Sequence, residues 1–545
     1  MQAEILQKNH LIIFFIFFAS FLDAKEISVH PFASFSSSQE LVKKYNYGLD
    51  KNNILYYDYG NRYNKLGKYN NPTFVAKYAD ILYREIQNTQ NKEKIELFFK
   101  QVDYLIKTST TDSKGDKYWS YPFENKYYNA PVGWHSAMTS GRILGVLARA
   151  HSLSNDDKYL KFAELVLNKL ARPIENGGMS THLENGEIWL EEVAYNGSSS
   201  FKVLNGHIFS LAGVYDYYKY TNSKKAKGLY EGGVIAVKNN LDDYDTGFIS
   251  YYSKENHNGK RYYAGRSDYH TIHVMQLLWL YNVTQNIDFL KKAMKFQAYE
   301  MNYGNITVSS SVNAKTNGPD KMNLTFGNNY WSSNDFPITI TFDMLNTELV
   351  AGVGLLGHTQ KSTPKSYLVE SSHDGVIYKK IAKQVNNQNM RFINNFTDTV
   401  KARYLKFTVF SDNGNKSLAL DGIAVIKKDP QFLISNFCNY SVSLKKVTDN
   451  DLGTAAPIRC NGFYIIPPSM IQSDKLSIYA KIKKNQKEKE VDMNLYESDD
   501  LIHWKLKSTS PYRNNIFKFT NINKNKYLKL SFTTDISSIS EIVFK

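Results

Sequence analysis

Apolar residues in the first half of the chain recur at helical spacing, and beyond Asn305 the spacing changes to alternation. Eight segments carry the helical period, beginning near Thr73, Lys92, Ser136, Lys158, Asn205, Gly228, Thr271 and Asn286. In the fifth, Leu204, Ile208, Leu211 and Tyr215 share one face, and in the seventh Ile272, Met275, Leu278 and Trp279 do so. The joints hold Pro173, Gly177-Gly178 and Asn185-Gly186, which are turn signals. Helices paired in this way predict an all-α (α/α) toroid of antiparallel hairpins around a central cleft, over residues 25–304.

After Asn305, short alternating runs such as PITITFDML, YLVESS, ARYLKFTVF and LDGIAVI predict an antiparallel β-sandwich over 305–429. A second copy follows over 430–545. SYLVESSHDGVIYKKI, RYLKFTVF and LDGIAVI are echoed by NLYESDDLIHWKLK, KYLKLSF and ISEIVF at similar spacing. The expected fold class is therefore multidomain, a helical toroid followed by one or two jelly-roll-like sandwiches.

At the amino end a lone Lys8 precedes an unbroken apolar run over residues 11–22, short for a bilayer span but of signal-peptide length. Residues 1–24 are expected to direct export to the periplasm, cell surface or medium. A membrane is a partner only if that segment is retained. Cys438 and Cys460 are the chain's 2 cysteines. Export permits a disulfide between them, worth about 3 kcal/mol, and two unpaired buried thiols are the alternative. The net charge of +15 points to an acidic partner, nucleic acid, anionic lipid or acidic polysaccharide. No arginine-rich arm or zinc-finger pattern accompanies it, which argues against nucleic acid.

Polar residues gather where the amphipathic helices begin. Asn205-Gly206 opens the fifth, and Arg266-Ser267-Asp268-Tyr269-His270 opens the seventh, so amides, a guanidinium, a carboxylate, a phenol and an imidazole sit at helix ends that carry unpaired backbone groups. His270 and His273 lie three apart, without a third ligand at metal-site spacing, so no metal and no cofactor is expected.

The words GWHSAMTSGRILGVLARAH (133–151), WLEE (189–192), LNGHIFSLAGVYDY (204–217), YDTGFISYY (244–252) and RSDYHTIH (266–273), in this order, resemble the carboxy-terminal catalytic domain of D-glucuronyl 5-epimerases. YWSSND, SYLVESSHDGVIYKKI and ARYLKFTVF resemble the discoidin, or coagulation-factor type C, sandwich, a common carbohydrate-binding domain. The first resemblance implies an (α/α) toroid and an isomerase that converts D-glucuronate to L-iduronate in a heparosan-like polysaccharide. It also implies catalytic tyrosines at Tyr269, Tyr252 and Tyr195. The family reads Glu-Glu-Tyr-Pro where this chain has Glu191-Glu192-Val193-Ala194-Tyr195, which displaces the third phenol by two positions.

Epimerisation removes the proton beside a carboxylate and returns one to the opposite face, so the site needs acid/base groups flanking the ring and a cation or strong donors at the carboxylate. Tyrosine serves as a base where a neighbouring cation favours the phenolate. Arg266 is the expected carboxylate clamp, with Glu191, Glu192, Asn205 and His270 as further substrate-binding candidates. Asn205 has helix capping as its competing role. Two other readings stay open: a lyase, because elimination starts with the same proton abstraction, and a non-catalytic glycan-binding surface protein. Oligomeric state is not fixed by the sequence, and a homodimer is compatible with it.

Overall fold

The computed structural model describes residues 27, 37–255, 261–265, 269–300, 304–322, 330–428, 434–436, 452–457, 462–483, 486–487, 490–533 and 535–544. The expected export segment, Arg266 and both cysteines lie outside the described residues. The chain divides into two compact units, Met1–Asn240 with Ser253–Lys260, and Leu241–Tyr252 with Arg261–Lys545.

All eight segments with helical spacing are helices. The first unit holds α1 (Pro72–Thr89), α2 (Lys92–Lys107), α3 (Ala137–Ser154), α4 (Lys158–Ala171), α5 (Leu204–Thr221) and α6 (Lys224–Asn240). The second holds α7 (His270–Thr284) and α8 (Ile287–Glu300). They form four hairpins, and one turn chemistry makes all four. The first helix of each pair ends on an amide residue in the left-handed region, at Gln90 (φ 47°), Asn155 (φ 56°), Asn222 (φ 58°) and Gln285 (φ 56°). The next residue then accepts a backbone N–H in the first turn of the following helix. Asn91 accepts from the Lys94 N–H at 3.1 Å, Asp156 from Lys158 at 3.0 Å, Ser223 from Ala226 at 3.3 Å and Asn286 from Asp288 at 3.0 Å.

Helices α3 and α5 are buried along most of their length and cross at very short range. A Cβ built on Gly213 would lie 1.8 Å from the Gly141 carbonyl oxygen, and one on Gly141 would lie 2.6 Å from Ser210 Cα. Only glycine at both positions permits that approach. Below the crossing, the buried Arg149 of α3 pairs with Asp216 of α5 at 2.6 Å and Asp80 of α1 at 3.5 Å, which keeps its charge compensated. The hairpin β1 (Ser180–His182) and β2 (Ile188–Leu190) pairs Ser180 with Leu190 and His182 with Ile188. It delivers the Glu-Glu word at the entrance to α5.

The β region of the second unit is antiparallel throughout. Its first domain is one seven-stranded sheet comprising β3 (Asn305–Val308), β4 (Trp331–Ser333), β5 (Ile338–Gly357), β6 (Pro364–Ser372), β7 (Lys379–Gln384), β8 (Asn394–Asp412) and β9 (Leu418–Lys427), in the order β7-β6-β8-β5-β9-β4 with β3 on β5. Within it β5 pairs with β8 from Ile338 to Val353 and with β9 from Val350 to Gly357, and register shifts near Glu348 and Gly352 let one long strand serve both partners. Alternation buries Leu405, Phe407 and Val409 around Trp331 and Tyr367.

The second domain has two sheets. One is β10 (Ile434–Asn436), β12 (Gly462–Ile466), β17 (Tyr527–Phe532), β14 (Asp492–Ser498) and β15 (Lys505–Pro511). The other is β11 (Ala456–Pro457), β18 (Ile536–Phe544), β13 (Leu476–Ile482) and β16 (Ile516–Phe519). Leu528, Leu530 and Phe532 of β17 are buried in its core as Leu405, Phe407 and Val409 are in the first. The repeat extends to one turn. Ser372 accepts from Asp374 N–H and Gly375 N–H while Asp374 accepts from Val376 and Ile377; Ser498 accepts from Asp500 and Leu501 while Asp500 accepts from Ile502 and His503.

Candidate functional site

In the first unit, β2 runs directly into Glu191 and Glu192, and the two carboxylates part ways. Glu191 is fully buried. It accepts from Thr181 Oγ1 at 2.8 Å, from Ser200 Oγ, and from the N–H groups of Phe201 and Lys202, each at 3.1 Å. Burial pushes its carboxyl pKa up, against the pull of those four bonds. Expected at the substrate, Glu191 instead ties down the loop that enters α5, because its acceptor positions are taken by the protein itself.

Glu192 is half-buried and lies over α5, where a Cβ on Gly206 would come 2.1 Å from its Oε2. The Asn-Gly word therefore needs its glycine to make room for Glu192. The carboxylate acts electrostatically on Arg142 of α3 and on Tyr121. The Arg142 guanidinium covers the Phe209 ring at 3.9 Å. Burial lowers its pKa to about 10, with Asp80 and Glu192 opposing. Lys77 of α1 is lowered to about 7 by burial and then by Arg142 and Lys44. Tyr121 closes a hydroxyl triangle with Thr73 (2.7 Å) and Thr139 (2.6 Å). Sequence reasoning missed Arg142, Lys77 and Tyr121. The available signal was an arginine inside the otherwise apolar stretch SGRILGVLA.

Asn205 is buried, as the second residue of α5. The cap of that helix is Val203, so the capping role weighed for Asn205 falls away. The Tyr195 phenol donates to the Tyr128 carbonyl at 3.2 Å, and burial raises its pKa, which favours the protonated form.

In the second unit, the Asp-Thr-Gly word is a turn anchored to α8. Asp245 accepts from Tyr299 Oη at 2.7 Å, Lys295 Nζ at 2.9 Å, Lys292 Nζ at 3.0 Å and the Gly247 N–H at 2.9 Å. Burial alone would raise its pKa, but these partners hold it at about 2. Gly247 takes the left-handed conformation the turn requires, at φ 85°.

The turn delivers Ser250 to α7. Its N–H donates to His270 Nδ1 at 3.0 Å, so His270 carries its proton on Nε2, which donates to the Phe296 carbonyl at 2.8 Å. Ser250 Oγ also lies 2.8 Å from His273 Nδ1. Burial, and then His270, keep the His273 pKa well below its usual value. Both ring nitrogens of His270 thus face protein groups. That corrects its expected substrate role: it is a latch between the Ser250 backbone and α8.

Past the latch, the Tyr252 N–H donates to the Tyr262 carbonyl at 2.8 Å and the Tyr269 N–H to the Ala264 carbonyl at 3.0 Å. These bonds bring Tyr252 and Tyr269 together, ring centroids 4.7 Å apart at 67°. Tyr252 is buried and Tyr269 half-buried. Either phenol can take or return a proton at a bound group. Tyr252, Tyr269 and His270 thus cluster in the second unit, while Glu191, Glu192, Tyr195 and Asn205 belong to the first. Among the described residues, no group of three or more His, Cys, Asp or Glu side chains is placed to hold a metal ion.

Residues 112–298 match the family described as D-glucuronyl C5-epimerase C-terminus, and residues 305–421 match the F5/8 type C domain. An uncharacterised protein of Methanocaldococcus jannaschii is 30% identical over 222 residues, 38% of this chain and 70% of its own length. The D-glucuronyl C5-epimerase of Caenorhabditis elegans is 32% identical over 229 residues, 39% of this chain, and the match spans 36% of that enzyme. Among solved structures, the family 32 carbohydrate-binding module of Streptococcus pneumoniae EndoD is similar over 23% of this chain and 97% of its own, at 16% identity and a TM-score of 0.20. Four of the five family words fall on the β2-to-α5 and Asp-Thr-Gly-to-α7 junctions that gather the candidate residues, and the chain belongs to the D-glucuronyl C5-epimerase family of isomerases, with an F5/8 type C domain after its helical region.

Proposed function

We propose that this protein is a uronate 5-epimerase that converts D-glucuronate to L-iduronate residues within a heparosan-like anionic polysaccharide. The observation that carries the reading is the Tyr252–Tyr269 pair, ring centroids 4.7 Å apart, where the Asp-Thr-Gly word meets the start of α7. One phenolate takes the proton from carbon 5, and the electron pair of that C–H bond moves onto the neighbouring carboxylate. A phenol on the other face then gives a proton back to carbon 5, so no glycosidic bond breaks. Tyr195, whose pKa burial raises, suits proton donation better than abstraction. Arg266 is assigned to the carboxylate, where the intermediate's extra charge develops. Asn205 and Glu192 are assigned to the sugar ring.

The four hairpins are assigned to an (α/α) toroid reaching to residue 304. The domains over 305–429 and 430–545 hold the polymer nearby and raise its effective concentration. Their partner is an acidic chain, in keeping with the net charge of +15. Export through residues 1–24 places the enzyme where such polymers are met.

Heparosan incubated with the protein in deuterated water tests the reading: carbon 5 gains deuterium, iduronate appears and chain length is unchanged. Shortened chains with an unsaturated uronate end would make the protein a lyase, and binding without exchange would make it a glycan-binding protein.

A further inference from the structure

The tyrosine pair has a back wall that belongs to the F5/8 type C domain. Residues 251–252 and 262–263 form a short antiparallel ribbon, in which Tyr251 bridges Tyr263 and the Tyr252 N–H bonds the Tyr262 carbonyl at 2.8 Å. Successive side chains of an extended segment face opposite ways. Tyr252 accordingly meets Tyr269 on one face, while Tyr251 and Tyr263 stack on each other on the other, centroids 5.5 Å apart and nearly parallel at 4°.

That second face is covered by the sheet domain. Phe248, Ile249 and Tyr263 share one apolar cluster with Leu356 of β5 and Ala424 of β9, with Ile393 and Ile426 packed against it. At Gly247 a Cβ would already come 2.9 Å from Ile426 Cδ1. Arg391, on the loop before β8, closes the edge. Its guanidinium lies 4.6 Å from the Tyr263 centroid and 5.7 Å from that of Tyr251, and it donates to the Arg261 carbonyl. Arg261 in turn covers Tyr251 at 3.9 Å.

We propose that the F5/8 type C domain is part of the catalytic framework, with Arg391 and Ile426 as positioning residues that press the Tyr251–Tyr263 face inward and so set Tyr252 against Tyr269. A domain that only tethers polymer would not bury Leu356 and Ala424, with Ile393 and Ile426 packed beside them, against the segment that bears a catalytic tyrosine. The kinetic part of this claim rests on the proposed epimerase activity; the docking part does not.

The test uses the full chain with Arg391→Ala and Arg391→Lys. In Arg391→Ala, amide hydrogen exchange at Tyr252 and Ala264 is expected to rise about tenfold or more while α3 stays protected, because the ribbon opens locally. Turnover of heparosan falls about ten- to hundredfold with KM within about twofold, since a displaced catalytic group costs rate and not binding. Arg391→Lys, which keeps the cation over the ring, recovers part of both. Unchanged exchange in Arg391→Ala overturns the docking. Faster exchange with unchanged kcat, or a raised KM at constant kcat, overturns the positioning role. If the parent protein is inert on every uronate polymer, the epimerase assignment fails by itself, and the exchange measurement still decides whether the sheet domain holds the ribbon.

Discussion

The β2-to-α5 junction and the Asp-Thr-Gly-to-α7 junction are built alike, and they differ at one point. At each, a buried histidine near the start of a helix accepts a backbone N–H from the preceding word and donates to a backbone carbonyl of the paired helix. His207 joins Leu190 N–H (2.8 Å) to Gly233 O of α6 (3.1 Å), and His270 joins Ser250 N–H (3.0 Å) to Phe296 O of α8 (2.8 Å). The latch fixes what the next two residues face. The first is spent on structure: Glu191 ties its loop, and Tyr251 backs onto the sheet domain. The second meets the functional candidates: Glu192 acts on Arg142 and Tyr121, and Tyr252 meets Tyr269. One scaffold therefore presents a carboxylate in one hairpin and a phenol in the other. In a pair of adjacent polar residues, the geometry of the latch decides which one faces the functional candidates.

Removing a latch is the harshest way to break this parallel. His207→Ala or His270→Ala strips one N–H and one carbonyl of their buried partner and leaves a cavity, so unfolding in urea should show a loss of about 3–5 kcal/mol. Acid attacks the His207 latch. Burial lowers the His207 pKa to about 4, against an unfolded value near 6.5. The folded state binds fewer protons in that window, so the latch contributes fully above pH 6.5 and is lost as pH falls towards 4. An unfolding free energy that stays flat between pH 6.5 and 4 would contradict it.

The carboxylate pair sharpens the comparison at a smaller scale. Glu191→Gln should cost about 2 kcal/mol of stability, because all four donors around it lose a charged acceptor and two of them face an amide NH2 instead of an oxygen, and should leave KM unchanged. Glu192→Gln should do the reverse, with little change in melting and altered kinetics on uronate polymers. Identical effects of the two would erase the distinction between the positions.

The repeated turn of the two β-domains gives the smallest effect. Gly375 sits at φ 77° and its counterpart Leu501 at φ 67°. Gly375→Ala places a Cβ in a disfavoured conformation, 3.2 Å from the Tyr404 ring, and should cost about 1 kcal/mol in chemical denaturation.

Much of this was legible in the sequence. Helical spacing located the eight long helices among the described residues, although α6 begins at Lys224, four residues before the expected Gly228, because Ser223 rather than a glycine supplies the cap. Alternation located the strands, and the echoed words marked the internal repeat. Three features were not legible, since each depends on contacts distant in the chain. Glu191 and Glu192 are indistinguishable as neighbours until the loop at Phe201 folds over one of them. His270 reads as a site histidine until Phe296 takes its second nitrogen. The allegiance of the Tyr252 ribbon to the sheet domain runs through Arg391, more than a hundred residues away.

The central claim, that these phenols move the carbon-5 proton, is tested most directly by deuterium incorporation into heparosan by Tyr269→Phe beside the parent. The change removes one oxygen and keeps the ring against Tyr252, so melting temperature and polymer affinity should stay near the parent values. The exchange rate should fall about 10²–10⁴-fold, the usual contribution of a general acid or base. A Tyr269→Phe protein that exchanges at close to the parent rate would contradict the account.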